Sequence, residues 1–193
     1  MTQADAVLDD LARHPATARH LARKLTTHFI ADDPPPAAVA RIESAFRGSD
    51  GDLASTASAI VDCPEAWEPV PRKIKTPYEF VVSAARLEPR ILDHPDLLRG
   101  AFTALGQRPF APPSPKGFDD VGPAWLAPHA FMKRAEWASL VADRIPPSVN
   151  PATLADEVFG PLLSEQTRLA VAQAASGAQA LTLLLMSPEF QRR

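Results

Sequence analysis

The first residues whose types and spacing suit chemistry are Glu79, Ser83 and Arg86. On a helix that turns about 100° per residue, these side chains form one narrow polar stripe among apolar neighbours. With Lys75 just before the helix they form one charged stripe suited to a cleft, in which Glu79 beside Arg86 has the chemistry of a general base. However, Thr76, Pro77 and Glu79 also match a capping box with proline at the first helical position. A cap and a salt bridge therefore explain the buried polar stripe without catalysis, and we favour that interpretation.

The second candidate is a proline-rich loop predicted over residues 107–123, which is longer than most loops in compact domains. The candidate binding surface on and just after this loop consists of Phe110, Lys116, Gly117, Phe118 and Trp125. A proline-stiffened loop loses less entropy when it binds, so this surface suits contact with a partner. The simpler interpretation is that its aromatic rings pack the loop onto neighbouring helices.

Metal and nucleophile chemistry finds little support in the sequence. A zinc-binding pair needs two histidines one turn apart on the same face of a helix. His20 and His28 are two turns apart, and Cys63 is the single cysteine. We therefore predict no catalytic residue, no metal ion and no cofactor, and we favour a chain that is not an enzyme by itself.

Charge and hydropathy restrict the partners. The formal net charge is −3, whereas general nucleic-acid binding needs a basic surface, so we expect no nucleic-acid partner. Residues 169–188 carry no charge, but polar side chains dilute this stretch, so we predict no membrane span. The first fifteen residues lack the basic start and apolar core of a secretory signal. We expect a cytoplasmic location by default, while export of a longer parent protein stays open.

Proline is the unusual residue, with 21 in 193, and it separates the periodic segments. No segment alternates with period two, so the sequence predicts an all-α fold. The helix near residues 77–88 is apolar around most of its circumference, which is typical of a helix buried between several neighbours. We predict one domain over residues 1–193, a multi-helix bundle of about eight to nine short helices around this central helix.

Two further sequence patterns predict helix caps and a possible internal repeat. Asp32 or Asp33 is predicted to cap the third helix, and Ser49, with Asp52 three residues later, to begin the fourth. Residues 57–67 and 181–190 both read as an apolar helix stopped by Pro-Glu and followed by an aromatic residue, Trp67 or Phe190. This echo favours two pseudo-symmetric helical units that clasp the central helix, unless Pro-Glu is only a common stop signal.

Six segments of the sequence are more specific together than any one alone: Leu11–Arg19, His28–Pro36, Asp50–Leu53, Lys75–Ala84, Pro112–Gly117 and Ser187–Arg192. Together they resemble the bacterial domain-of-unknown-function family numbered eighteen hundred. The resemblance covers nearly the whole chain and implies the C-terminal half of a longer protein. It also implies a partner, because the family is often encoded beside another uncharacterised family that resembles exported, sulfatase-like proteins. It implies no activity and no site residues.

Two functional hypotheses follow. In the first, the chain is a non-catalytic interaction or support module that contacts the missing N-terminal half or a partner protein. In the second, it is the supporting half of an enzyme, such as a hydrolase, whose catalytic groups lie in the missing half. The sequence leaves the oligomeric state and the substrate open.

Overall fold

The computed structural model describes residues 2–147 and 149–193, and the regular secondary structure of these residues is entirely helical. They form twelve α-helices and three short 3-10 helices. The described residues contain no strand, and the backbones of Ile74 and Arg192 form an isolated antiparallel bridge. The predicted all-α class is therefore confirmed, with more helices than expected. Met1 and Ser148, which the predicted domain includes, lie outside the described residues.

The helices form two units, the first ending at Lys73 and the second beginning at Ile74. The first unit consists of α1 (Gln3–Arg13), α2 (Pro15–Phe29), α3 (Pro36–Gly48), α4 (Leu53–Val61) and a 3-10 helix (Pro64–Trp67). Its two small apolar clusters include Ile42 with Ile60 and Ile30 with Cys63. The expectation of one domain over residues 1–193 stays a prediction.

Helix caps in the first unit agree only in part with the sequence. The predicted start of the fourth helix at Ser49 is wrong, since Ser49 follows the end of α3. Asp52 caps α4 instead, because its carboxylate accepts a hydrogen bond from the Ser55 amide at 2.6 Å. The predicted cap of α3 is wrong, since Pro35 occupies the cap position and makes no side-chain hydrogen bond there. Asp32 instead forms an ion pair with the buried Lys73, at 2.6 Å. The Asp32 carboxylate therefore binds a lysine that is distant in the sequence and does not cap α3.

The second unit consists of eight α-helices and two 3-10 helices. The α-helices are α5 (Pro77–Leu87), α6 (Pro95–Ala104), α7 (Gly122–Trp125), α8 (Pro128–Arg144), α9 (Pro151–Phe159), α10 (Glu165–Ala172), α11 (Gly177–Met186) and α12 (Pro188–Gln191). The 3-10 helices are Pro89–Asp93 and Gly160–Leu162. Proline begins most of these helices because its fixed φ suits the first turn and its missing N–H is not needed there.

The main core of the second unit collects side chains from α5, α6, α8, α11 and α12. Phe80 of α5 packs edge-to-face against Trp137 of α8 and Phe190 of α12, with ring centroids 5.5 and 5.8 Å away. Within this unit α5 is central, as the sequence predicts. It buries a broad face and not its whole circumference, because Val82 is 37% exposed and Tyr78 is 54% exposed.

Two further differences concern the loop and the echoed motif. The long loop is followed by α7, which begins at Gly122, one residue before the predicted end of the loop. The two Pro-Glu motifs differ in their aromatic residues, because Trp67 is 70% exposed whereas Phe190 is buried. Trp67 still folds back, donating from Nε1 to the Val61 carbonyl at 2.6 Å. The clasp around the central helix stays a prediction.

None of the helices within residues 2–147 and 149–193 is both long enough and apolar enough to cross a membrane.

Candidate functional site

The N-terminus of α5 is built by the predicted capping box. The Glu79 amide donates to the Thr76 hydroxyl at 3.3 Å, and the Glu79 carboxylate accepts from the Thr76 amide at 2.8 Å. The other oxygen of that carboxylate forms an ion pair with the Arg193 guanidinium, at 2.7 Å. The salt bridge predicted for this stripe is therefore made by Arg193, and Glu79 is already occupied by structural contacts.

The segment before α5 is tied to the segment after α12. The Lys75 amide donates to the Gln191 carbonyl at 2.9 Å, next to the bridge between Ile74 and Arg192. The Gln191 side chain is buried, and its amide nitrogen donates to the Leu185 carbonyl at 2.7 Å. The backbone of Lys75 is thus held against two helices of the core.

Arg134 of α8 is the most unusual residue of this region, because only 1% of its surface is exposed. Its guanidinium donates to the Gln191 side-chain oxygen and to the Lys75 carbonyl, both at 2.7 Å. The same group lies 5.1 Å from the centre of the Phe80 ring, within range of a cation–π contact. Burial lowers the pKa of Arg134 from its ordinary value to about 10, while the charge of Glu79 raises it.

The Lys75 ammonium lies in the same region and is partly buried. Its Nζ atom is 4.2 Å from the centre of the Phe190 ring. Burial lowers the pKa of Lys75 from 10.5 to about 8; the Glu79 carboxylate raises it and the Arg134 guanidinium lowers it further. A pKa this low places the loss of the ammonium charge within about one unit of neutral pH, which is a recurrent property of functional sites.

A cleft of about 340 Å³ opens beside this ammonium. Its lining residues are Lys75, Ser83, Arg86, Leu87, Val158, Phe159 and Phe190. Of the predicted polar stripe, the structure brings Ser83 and Arg86 to the cleft together with Lys75. Glu79 is not part of the lining, since the helix cap and Arg193 hold it. The arrangement presents cations and one hydroxyl beside an apolar wall.

The second candidate surface surrounds Phe110, which is fully exposed. The Ala111 amide donates to the Arg108 carbonyl at 3.2 Å, closing a turn with Pro109 and Phe110 in the middle. Phe110 has a φ of 58°, which at this position of a turn is usually adopted by glycine or asparagine. Such strain in a bulky residue is uncommon, and it is concentrated at functional sites.

The rest of the predicted binding surface forms the base of the loop. Gly117 closes a second turn at φ 87°, its amide donating to the Ser114 carbonyl at 3.0 Å. Lys116 forms an ion pair with Asp119 at 2.7 Å. Trp125 is buried, and its Nε1 donates to the Asp119 carbonyl at 2.9 Å.

Phe118 completes this base, with its ring centroid 6.3 Å from that of the buried Trp125. Phe118 itself is partly buried. Packing thus uses two of the three aromatic residues predicted for the surface, and Phe110 alone presents its ring to solvent.

The remaining histidine and cysteine candidates make contacts that stabilise the fold. His14 caps α2, because its Nδ1 accepts from the Ala16 amide at 3.1 Å. Cys63 is buried with Sγ 2.9 Å from a Glu65 carboxylate oxygen, and burial raises the pKa of its thiol. Within the described part of the chain, no group of three or more His, Cys, Asp or Glu side chains is placed to hold a metal ion.

A comparison with known protein families identifies the family of this chain. The model of the family described as "Protein of unknown function (DUF1800)" matches residues 1–192. The chain belongs to this family. Searches of curated proteins and of solved structures found no match.

For this DUF1800 chain, reasoning from the sequence did not find Arg134 or Gln191. Arg134 lies among polar and charged neighbours on α8, where a solvated face is the natural expectation. The one available signal was its helical spacing. Arg134 is three residues before Trp137 and seven before Val141, so it shares the face that these apolar residues bury.

Proposed function

We propose that this DUF1800 chain is a non-catalytic helical interaction module of a larger bacterial protein. The surface around Phe110 would contact the N-terminal half of that protein. The family resemblance implies this N-terminal half, because it makes the chain the C-terminal half of a longer protein. The single observation that carries the proposal is the exposed aromatic ring of Phe110 on a strained turn.

The energetics of Phe110 favour a binding role. In the free chain the ring is fully exposed, and its positive φ costs about 1–3 kcal/mol without a compensating contact in the described structure. Burying a phenylalanine side chain against a partner would return about 1.5–3 kcal/mol. Aromatic residues of this kind dominate the affinity of many protein interfaces.

The base of the loop supports the same role, because it limits the entropy that binding would cost. Pro109 fixes one position of the turn next to Phe110, and Trp125 anchors the C-terminal side of the loop in a buried position. The ion pair between Lys116 and Asp119 adds a further local restraint. A loop held in this way presents its ring in one orientation before a partner arrives.

The test is site-specific photocrosslinking in the complete natural protein. A benzophenone amino acid replaces Phe110, and a control carries it at Leu162, which is 54% exposed in the same unit. We expect position 110 to crosslink to peptides outside residues 1–193 and position 162 to do so much less. In a second arm, Phe110→Asp should weaken the association of this chain with the separately prepared N-terminal half.

Two results would overturn the proposal. Crosslinks from position 110 that stay within residues 1–193 would show that the ring has no partner there. Turnover of generic ester or sulfate substrates by this chain alone would contradict the non-catalytic assignment and favour an enzyme.

A further inference from the structure

We propose that the cleft lined by Lys75, Ser83 and Arg86 binds a small organic anion, a carboxylate carried on an apolar or aromatic group. This site is separate from the Phe110 surface and does not depend on the proposed function. All of its residues belong to the second unit, and they come from four places: the segment before α5, α5 itself, α9 and α12.

The first argument is the charge balance around the cleft. Among the described residues, no carboxylate lies within ion-pair distance of the Lys75 ammonium or the Arg86 guanidinium. Glu79 is the acid that acts on Lys75, and its oxygens are bound by Arg193 and by the Thr76 amide. Two cations therefore share one cleft without an anion of their own.

The buried Arg134 strengthens this imbalance. It adds a positive charge behind Lys75, and its hydrogen bonds go to two neutral oxygens. A positive field at a partly desolvated site attracts an anion more strongly than the same charges do on an open surface. The positive electrostatic potential of the cleft therefore favours a negatively charged ligand.

The second argument is the chemistry of the cleft wall. Leu87, Val158, Phe159 and Phe190 give it an apolar side, while the Ser83 hydroxyl can donate to an oxygen of the anion. The volume of about 340 Å³ is at the small end of the range for ligand sites. A bare inorganic ion would leave the apolar wall in contact with water, whereas an aryl or alkyl carboxylate would cover it.

The titration of Lys75 supports the geometry and supplies a signature. Its pKa of about 8 reflects burial first, then Glu79 and Arg134 in opposite directions. An anion beside the ammonium favours its charged form, so binding should raise this pKa and take up a proton near pH 8. Arg134, with a pKa of about 10, keeps its positive charge near pH 8.

The experiment uses phenylacetate as the probe and isothermal titration calorimetry on the folded chain. Its neutral analogue phenylacetamide and inorganic phosphate serve as ligand controls. Lys75→Met and Arg86→Gln test the two cations, and Lys133→Met removes an exposed lysine of α8 as the matched control. We expect phenylacetate to bind with one site per chain, and phenylacetamide to bind about tenfold more weakly or worse.

The variants and the pH provide independent readouts. Lys75→Met should abolish binding, Arg86→Gln should weaken it, and Lys133→Met should leave it unchanged. For the wild type, the affinity should fall as the pH rises through about 8. Buffers of different ionisation enthalpy should then reveal proton uptake when phenylacetate binds to the wild type near pH 8. Because this signature is measured on the wild type, it remains informative if one variant fails to fold.

Four results would overturn the inference. The first is that the wild type shows no binding of phenylacetate up to millimolar concentration. The second is equal binding of phenylacetate and phenylacetamide, which would make the cleft an apolar site. Binding that Lys75→Met leaves unchanged would place the probe elsewhere, and tighter binding of phosphate than of phenylacetate would contradict the role of the apolar wall.

Discussion

Replacing Arg134 with methionine tests whether a buried cation holds the second unit together. In the native chain its guanidinium satisfies the Lys75 carbonyl and the Gln191 side-chain oxygen. Each buried acceptor left without a donor costs about 1–3 kcal/mol. The lowered pKa of Arg134 shows that burial disfavours its charge, so losing the charge offsets part of this cost. We expect Arg134→Met to lower the free energy of unfolding by about 3 kcal/mol.

The assay is urea unfolding followed by tryptophan fluorescence in a Trp67→Phe background. That substitution removes the tryptophan of the first unit, so the signal comes from Trp125 and Trp137 of the second unit. Lys133→Met, one position earlier on α8 and exposed, is the control and should change the stability by less than about 0.5 kcal/mol.

A double-mutant cycle with Gln191→Leu isolates the contact between the two side chains. Because each single change leaves a buried polar group without its partner, the double variant should lose less stability than the sum of the singles, by about 1–2 kcal/mol. If Arg134→Met costs no more than Lys133→Met, or if the two changes are simply additive, the network does not stabilise the unit as we argue.

Three further predictions concern neighbouring features. The pKa of Lys75 is about 8 in the folded chain and 10.5 ordinarily, so the unfolded chain binds more protons between these values. Relative to Lys75→Met, the wild type should gain about 1–2 kcal/mol of stability as the pH rises through that window, measured by urea unfolding; no gain would contradict the burial of the charge. Thr76→Ala should cost about 1 kcal/mol by loss of the cap, whereas Thr2→Ala, which caps α1, should leave the unfolding free energy unchanged because α1 buries no residue. Phe110→Gly should stabilise the chain by up to about 1 kcal/mol in the same assay, since glycine adopts the positive φ freely, and Phe110→Ala, which keeps the strain, should not.

The helices of this chain were predictable because their start signals are local. Pro77, Pro128 and Pro151 each stand at the first position of a helix, directly after a residue that occupies the cap. α7 could not be predicted in the same way, because four residues are too short to show a helical period. The predicted cap of α3 was wrong for a different reason, since Asp32 forms an ion pair with Lys73, forty-one positions away in the sequence.

The candidate surfaces were predictable in composition but not in geometry. The sequence identifies Phe110, Phe118 and Trp125 as aromatic residues of one stiff loop, and it cannot say which ring is packed. Burial of Trp125 depends on the Asp119 carbonyl reaching its Nε1, a contact that belongs to the folded loop. Likewise the sequence groups Lys75 with Ser83 and Arg86, while the apolar wall that Val158, Phe159 and Phe190 add to the cleft belongs to the fold.

The network around Arg134 explains why sequence patterns underestimate this part of the chain. Arg134 is separated from Gln191 by 57 positions and from Lys75 by 59, so no local rule connects them. The buried Arg134 donates to neutral oxygens, and its positive charge acts on the nearby Lys75. Burial is the first cause of the low pKa of Lys75, and the charge of Arg134 adds to it against the opposite effect of Glu79. We therefore expect Arg134→Met to raise the pKa of Lys75 only in part, whereas a return to the ordinary value without a change in burial would make the charge of Arg134 the main cause.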